Sequence, residues 1–348
     1  MPDADSIKDD IGVNIEVCQC SGCGLVQLSN DPVPYYREVI RASAFSEEMK
    51  AFRMKQFANF ITKHSLSGKK VIEIGCGRGE YLSLIQQLDV DVYGIEYSEQ
   101  SAIECARNGL NVKKGFIEHT DYEIENAPFD AFFILNYLEH LPNPNTALRG
   151  LWKNLNDGAV GLVEVPNFDM IVQKGLFSEF IADHLFYFTK ETLNFVLFQN
   201  GFEIIECKTI WKDYIISASV EKRKKLDITR FYTQKINLER ELKQFLNNFR
   251  DKSVAIWGAG HQAFTVIALT GISLKIKYII DSAKFKHGKY SPITHIPIVP
   301  PKALISDPVS AVIIMAAGYS DEVKNIIRNR YSVDLELAIL RDFGLEIV

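Results

Sequence analysis

The sequence predicts an α/β chain. One doubly wound parallel sheet is closed at one edge by an antiparallel hairpin, and a second, smaller doubly wound domain follows. Three observations predict it. From residue 69 to about 220, strand-like apolar runs alternate with helix-length segments, the pattern of a parallel sheet covered by helices on both faces. The same alternation restarts at 252. A glycine-rich turn follows the first strand of each stretch, GCGRG at 75–79 and GAG at 258–260. The length of 348 residues agrees, since domains average about 150 residues.

In chain order, residues 1 to about 35 read as loop. Phe45, Met49, Phe52, Phe57, Phe60 and Ile61 recur at helical spacing, so residues 36–65 read as one or two helices. The first domain's strands are VIEI (71–74), DVYGIE (91–96), an edge at VKKG (112–115), AFFIL (131–135) and GLVEV (161–165). EIIECKTI (203–210) and YIISASV (214–220) are close enough to pair as a terminal hairpin. The run Lys222, Arg223, Lys224, Lys225 reads as a solvated turn. Leu238, Leu242, Phe245, Leu246 and Phe249 then mark a domain-joining helix. SVAIWGAG (253–260), IKYIID (276–281) and AVIIMAAG (311–318) supply the second sheet. The expected division is an N-terminal segment 1–65, a first α/β domain 66–220, a helical connector 221–251 and a C-terminal domain 252–348.

Hydrophobic residues make up 47% and charged residues 24%, as in a folded globular protein. With 39 basic against 44 acidic residues the net charge is −5, which gives no electrostatic reason to expect nucleic acid or an anionic membrane. No apolar run reaches the 18 or so residues of a membrane span. The start, MPDADSIKDD, is acidic and polar rather than a secretory leader. A cytoplasmic protein is expected. Six cysteines are too few for a disulfide scaffold. Cys20 and Cys23 form a C-x-x-C-G turn that offers half of a structural zinc site, which needs four ligands. No second pair exists, so a half site without metal is expected; Cys18 or a distant histidine could complete one.

The first glycine loop carries the chemistry. Glu73 lies at the strand end and Gly75, Gly77 and Gly79 follow it. Glycines serve where backbone turns sharply and approaches a ligand. The third glycine comes one residue early for a dinucleotide fingerprint, and Glu73 can receive an ammonium group such as that of a methionine-like tail. Glu96, at the end of the second strand, can accept both ribose hydroxyls of an adenosine. Gly115, Phe116 and Ile117 follow the third strand, where apolar groups could sandwich an adenine. The fourth strand ends in NYLEHLPNP (136–144). This combination resembles the class I S-adenosylmethionine-dependent methyltransferases. The resemblance implies S-adenosylmethionine as cofactor, with Glu73, Gly75, Cys76, Gly77, Gly79, Tyr81, Glu96, Tyr97, Gly115, Phe116, Asn136 and Tyr137 as its candidate binding residues.

The remaining segments narrow it. CxxCGLVQL, the methyltransferase domain, DHLFYF (183–188) and a C-terminal G-A-G domain with KYSPITHIPIVPP (289–301) occur in that order, and together they look like the sugar C-methyltransferases. Those act on nucleotide-linked keto-deoxysugars, so the resemblance implies a nucleotide-sugar substrate and carbohydrate biosynthesis. It places a base at His184 and sets Asp183 where relatives carry a glutamate. Ile181 and Ala182 replace a tyrosine and a histidine of the family's motif, an H-G-G-S segment is absent from WKDYIIS (211–217), and the first zinc-ligand pair is missing. The chain is thus identified as a divergent, N-terminally reduced member. The alternative is an O- or N-methyltransferase of the same architecture.

Carbon methylation needs a proton removed beside a ketone, which suits a histidine, and a donor for the enolate oxygen. His184 lies in a loop beyond the C-terminal end of a parallel strand, where open α/β sheets bind substrates. Tyr187 is a candidate donor or acid, and His140 sits at the end of the fourth strand. Each has a plain alternative: a hydrogen-bonded structural histidine, an aromatic beside Phe186 and Phe188, and a helix-start residue. The second glycine loop, with Asp281 about twenty residues on, matches a dinucleotide pattern. The resemblance instead implies a cofactor-free Rossmann-like module, so no NAD is expected. Lys289, Tyr290 and His295 line a substrate wall or form an ordered loop. A monomer is expected.

Overall fold

The computed structural model describes residues 11–37, 46–331 and 335–348. They fall into two compact units, Met1–Lys225 and Leu226–Val348. Phe45 of the expected helical stripe and the polar start MPDADSIKDD lie outside the described residues.

In the first unit, β1 (Val17–Gln19) and β2 (Val26–Leu28) pair antiparallel across the cysteine turn, where loop was expected. The turn is closed by Cys20 N–H to the Leu25 carbonyl and Gly24 N–H to the Cys20 carbonyl, both 2.9 Å. Helix α1 (Glu47–Lys63) begins at Ser46, whose hydroxyl accepts the Met49 N–H at 3.2 Å, satisfying one of the helix's unbonded donors. It buries Arg53, Phe57, Phe60 and Ile61, with Phe57 four residues after Arg53 and Phe60 and Ile61 three and four after Phe57.

Then come β3 (Lys70–Ile74), α2 (Leu82–Ile85), β4 (Asp91–Glu96), α3 (Glu99–Arg107), β5 (Val112–Lys114), β6 (Phe129–Leu135), α4 (Pro144–Lys153), β7 (Leu155–Pro166), α5 (Phe168–Lys174), β8 (Phe186–Tyr187), α6 (Lys190–Gln199), β9 (Phe202–Ile210) and β10 (Ile215–Lys222). The seven-stranded sheet has the order β5-β4-β3-β6-β7-β10-β9. Strands β3 to β7 run parallel and β10 pairs antiparallel with both its neighbours. The later hairpin strand therefore sits inside the sheet and β9 takes the edge. Strand β6 shows why its sequence is apolar at nearly every position. Phe132 and Ile134 join one core and Ala131, Phe133 and Leu135 the other, because successive side chains face opposite sides of a doubly covered sheet.

In the second unit, α7 (Thr229–Leu246), read from sequence as a connector, buries Leu242, Phe245 and Leu246 in the core formed with β11 (Val254–Trp257) and α8 (His261–Thr270). Strands β12 (Ile276–Ile280) and β13 (Ile298–Val299), helix α9 (Ala303–Ser306), β14 (Ala311–Ile314), α10 (Ser320–Ile326), β15 (Glu336–Arg341) and β16 (Gly344–Ile347) complete it. The sheet order is β13-β12-β11-β14-β15-β16, parallel except for the last pair. No helix among the described residues is long and apolar enough to cross a membrane.

Candidate functional site

The first glycine loop leaves the C-terminal end of β3. Gly75, Gly77 and Gly79 have φ of +70°, +57° and +83°, a region that favours glycine. A side chain at Gly75 would strike the Tyr137 ring. Glu96 closes the loop. Its buried carboxylate accepts the Gly77 N–H at 2.8 Å and the Ser98 N–H at 2.9 Å, which ties the turn to the start of α3. Glu73 is buried on β3.

The other expected cofactor residues gather at the same edge, with one difference. The Cys76 side chain turns away into a core with Leu82, Ala102 and Cys105, so only its backbone belongs to the loop. A hydrogen bond to Cys105 and burial raise its thiol pKa well above the usual range. Tyr81 starts α2 and packs edge-on to Phe57. Gly115 N–H donates to the Glu96 carbonyl at 2.9 Å. Phe116 lies 6.2 Å from the Tyr97 ring. Asn136 takes the left-handed conformation (φ +52°) and its N–H donates to the Glu164 carbonyl at 2.9 Å. Burial raises the Tyr137 phenol pKa.

Two residues that sequence reasoning missed cover this edge. The Arg37 guanidinium sits 5.1–5.3 Å from the rings of Tyr36, Tyr97 and Phe116, within cation–π range. Tyr36 and Arg37 also line a cavity of about 300 Å³ with Phe116, Leu141 and Asn143. Their signal in the sequence is weak, because the helical spacing that marks 36–65 begins only at Phe45, after them.

Beyond β6, a 3-10 turn spans Leu138–His140. The turn is stitched to the segment before β8: Leu185 N–H donates to the Glu139 carbonyl at 2.9 Å, and His140 Nδ1 lies 2.8 Å from the Asp183 carbonyl. The His140 and His184 rings then meet edge to face, centroids 4.7 Å apart. The structure thus brings His140, Asp183 and His184 together. Asp183 engages His140 rather than its neighbour, because adjacent side chains diverge; its carboxylate lies 3.9 Å from His140 Nδ1.

Tyr187, a candidate donor or acid with an aromatic packing role as its alternative, lies among aromatic rings. Its hydroxyl is held by the backbone of Ile181, accepting that N–H at 3.1 Å and donating to that carbonyl at 3.3 Å. Its ring is 6.4 Å from His184. Tyr187 packs with Phe168 and Phe180 and pairs with Val26 of β2. The cysteine-turn hairpin therefore holds the strand that follows His184. Cys23 packs against the main core. Backbone hydrogen bonds from Cys23 and Gly22, with help from the Cys23 side chain, lower the pKa of Cys20.

Sequence reasoning also missed Glu139, which is 1% exposed. Burial pushes its carboxyl up to about 7, while burial and the nearby His140 push His184 down to about 4. At neutral pH the His184 imidazole is uncharged, so it can accept a proton or ligate a cation. A glutamate flanked by leucine and histidine where a buried strand ends was the available signal. A second buried charge was equally hidden. Arg53 of α1 forms an ion pair with Glu164 of β7, both 0% exposed, supported by Gln56 and by the Ser217 hydroxyl at 2.8 Å.

Parts of the chain are similar to known proteins. The family described as a methyltransferase domain matches residues 45–207, and the family described as the C-methyltransferase C-terminal domain matches residues 217–334. A ubiquinone biosynthesis O-methyltransferase of Bordetella avium is 32% identical over 91 residues, 24% of this chain and 37% of that protein. Its namesake from Idiomarina loihiensis is 29% identical over 134 residues, 36% of this chain and 54% of that protein. The chain thus spans about half the length of these curated relatives, or less. Among solved structures, the plantazolicin methyltransferase BpumL in complex with SAH is 16% identical, covering 52% of this chain and 87% of that one at a TM-score of 0.41. The PH0226 protein of Pyrococcus horikoshii is 13% identical, covering 54% and 98% at a TM-score of 0.44.

Proposed function

From a chain that belongs to the methyltransferases pairing a methyltransferase domain with a C-methyltransferase C-terminal domain, we infer an S-adenosylmethionine-dependent enzyme that methylates a nucleotide-activated keto-deoxysugar. The observation that carries the reading is one sheet edge on which the Glu96-clasped glycine loop and the His140–His184 pair stand together. The loop fits the cofactor: left-handed glycines leave room for close approach, and an acidic strand end follows at the position that receives ribose hydroxyls. Glu73, Gly75, Gly77, Gly79 and Glu96 would hold it, with Tyr97, Gly115, Phe116, Asn136 and Tyr137 around it. When bound, S-adenosylmethionine supplies an electrophilic methyl group on its sulfonium.

The protein's own contribution is positioning and proton handling. Holding the acceptor in line supplies most of what such a displacement needs. His184 is the candidate base. His140, fixed by the Asp183 carbonyl, sets the orientation of the His184 ring beside it. Tyr187 holds the 181–187 segment in shape. The C-methyltransferase C-terminal domain favours carbon as the methylated atom, and the resemblance of the sequence to the sugar C-methyltransferases favours a sugar nucleotide as acceptor.

Incubation with labelled S-adenosylmethionine and nucleotide-linked keto-sugars tests this reading. Label on a ring carbon, lost in His184→Ala, is the expected result. Label on oxygen or nitrogen, with His184→Ala active, supports the second reading, an O- or N-methyltransferase. Two observations favour that second reading: the named relatives are O-methyltransferases, and Ile181 and Ala182 replace the tyrosine and histidine expected before Asp183.

A further inference from the structure

We propose that Glu139, His140 and His184 form a binding site for one divalent transition-metal ion at the acceptor end of the cofactor cleft. This deepens the reading above and rests on it for the location of the acceptor.

The three side chains each offer a ligand atom, and all three atoms lie within 4.8 Å of one another. They are the one such group of histidine, cysteine or carboxylate side chains found among the described residues. Two imidazoles and a carboxylate are the donor set of catalytic zinc sites with an open position. That set suits zinc and its neighbours in the first transition row better than calcium or magnesium, which prefer oxygen ligands.

Two further observations point to a cation rather than to a chance cluster. Glu139 is fully buried, and its Oε2 has no hydrogen-bond partner. A buried polar oxygen left unsatisfied is costly, and buried carboxylates are paired or coordinate metals. The second concerns His140. Its Nδ1 lies 2.8 Å from the Asp183 carbonyl, which can only accept, so Nδ1 carries the proton and Nε2 presents its lone pair. A ligating histidine is held in this way by a backbone carbonyl behind it. Nε2 already stands 3.9 Å from Glu139 Oε1.

Ligands about 2.1 Å from a tetrahedral ion are roughly 3.4 Å apart, so closure needs side-chain shifts of about an ångström. Glu139 lies at the floor of the cluster. The His140 side chain is 19% exposed and His184 is half-buried, so the outer side is open to a further ligand. In that position a ketone or hydroxyl oxygen of the acceptor fits, and His184 acts as a ligand while the ion is present.

The test uses the whole chain, stripped with a chelator and titrated with Co²⁺ alone. One equivalent should bind and give visible ligand-field absorption. Glu139→Gln and His184→Ala should each weaken binding at least tenfold, and the double variant Cys20→Ser/Cys23→Ser should leave it unchanged. X-ray absorption at the cobalt edge of the unaltered chain should show imidazole and oxygen neighbours without sulfur; this readout does not depend on any variant folding. Absorption that persists in His184→Ala and Glu139→Gln overturns the site, as does a sulfur shell or loss in the cysteine variant. Calorimetry with S-adenosylmethionine on the same samples separates the two readings. Cofactor binding without Co²⁺ binding removes the metal site alone, whereas absence of cofactor binding removes the functional reading.

Discussion

Arg53 and Glu164 show how much one pair of residues can hold in place. Both are fully buried, and Glu164 also accepts from Ser217 while its backbone carbonyl receives the Asn136 N–H. The pair thus joins α1, β7 and β10 next to the turn that carries Tyr137. Removing one member strands the other charge in the interior, which typically costs about 3–5 kcal/mol, whereas replacing both by apolar groups is often neutral. Arg53→Met should lower stability by that amount in denaturant titration, and Arg53→Met/Glu164→Leu should recover most of it. A double variant as unstable as the single one would show that the pair's charge is not what matters. These residues also mark where the sequence stops being readable. Glu96 could be recognised because strand, glycine turn and acid follow one another locally. Arg53 appears only as an interruption of an apolar stripe, and its partner is 111 positions away. For Tyr187 the sequence leaves two readings open, a donor or acid and an aromatic beside Phe186 and Phe188, because its hydroxyl's partner, the Ile181 backbone, is invisible until the segment is folded.

At the scale of elements, the position of His184 depends on pieces too short to read. Strand β8 has two residues. It exists because β2 pairs with it and because Leu28 N–H donates to the Leu185 carbonyl at 2.9 Å. The cysteine turn that creates β2 reads in the sequence as half of a zinc site without metal; in the structure it braces the loop of the histidine pair. Leu28→Pro deletes that donor. The variant should methylate roughly 10- to 100-fold more slowly, the scale expected for a misplacement of about an ångström, with S-adenosylmethionine affinity unchanged by calorimetry. Equal loss of affinity and rate would mean that the hairpin supports the whole unit instead. The long strands of the first sheet were legible because burial on both faces makes them continuous apolar runs. Strand β15 was not, since ELAILR is rich in helix formers and becomes a strand only by pairing with β14.

Across the whole molecule, the chain builds the same turn twice and can use the two differently. In the first unit Glu96 accepts the Gly77 and Ser98 N–H groups. In the second, Asp281 accepts the Ala259 N–H at 2.9 Å and the Ala283 N–H at 2.8 Å. There Lys286 also takes part, its ammonium bonding both Asp281 and the Ala259 carbonyl, so a cation of the protein itself already faces that acid. Asp281 therefore reads as a support for its own loop. Gly258 supports the same view. Its φ is +120° and a side chain there would strike the Met315 carbonyl, so it is required for packing of β11 against the turn after β14. Two alanine variants separate the roles. Gly75→Ala should abolish the heat of S-adenosylmethionine binding, since its β-carbon displaces the Tyr137 ring. Gly258→Ala should lower the unfolding temperature of the second unit while one equivalent of S-adenosylmethionine still binds with unchanged affinity. NAD should give no heat with either variant or with the unaltered chain. Residual S-adenosylmethionine binding in Gly75→Ala that disappears in the double variant would place a cofactor site on the second loop and reverse this assignment.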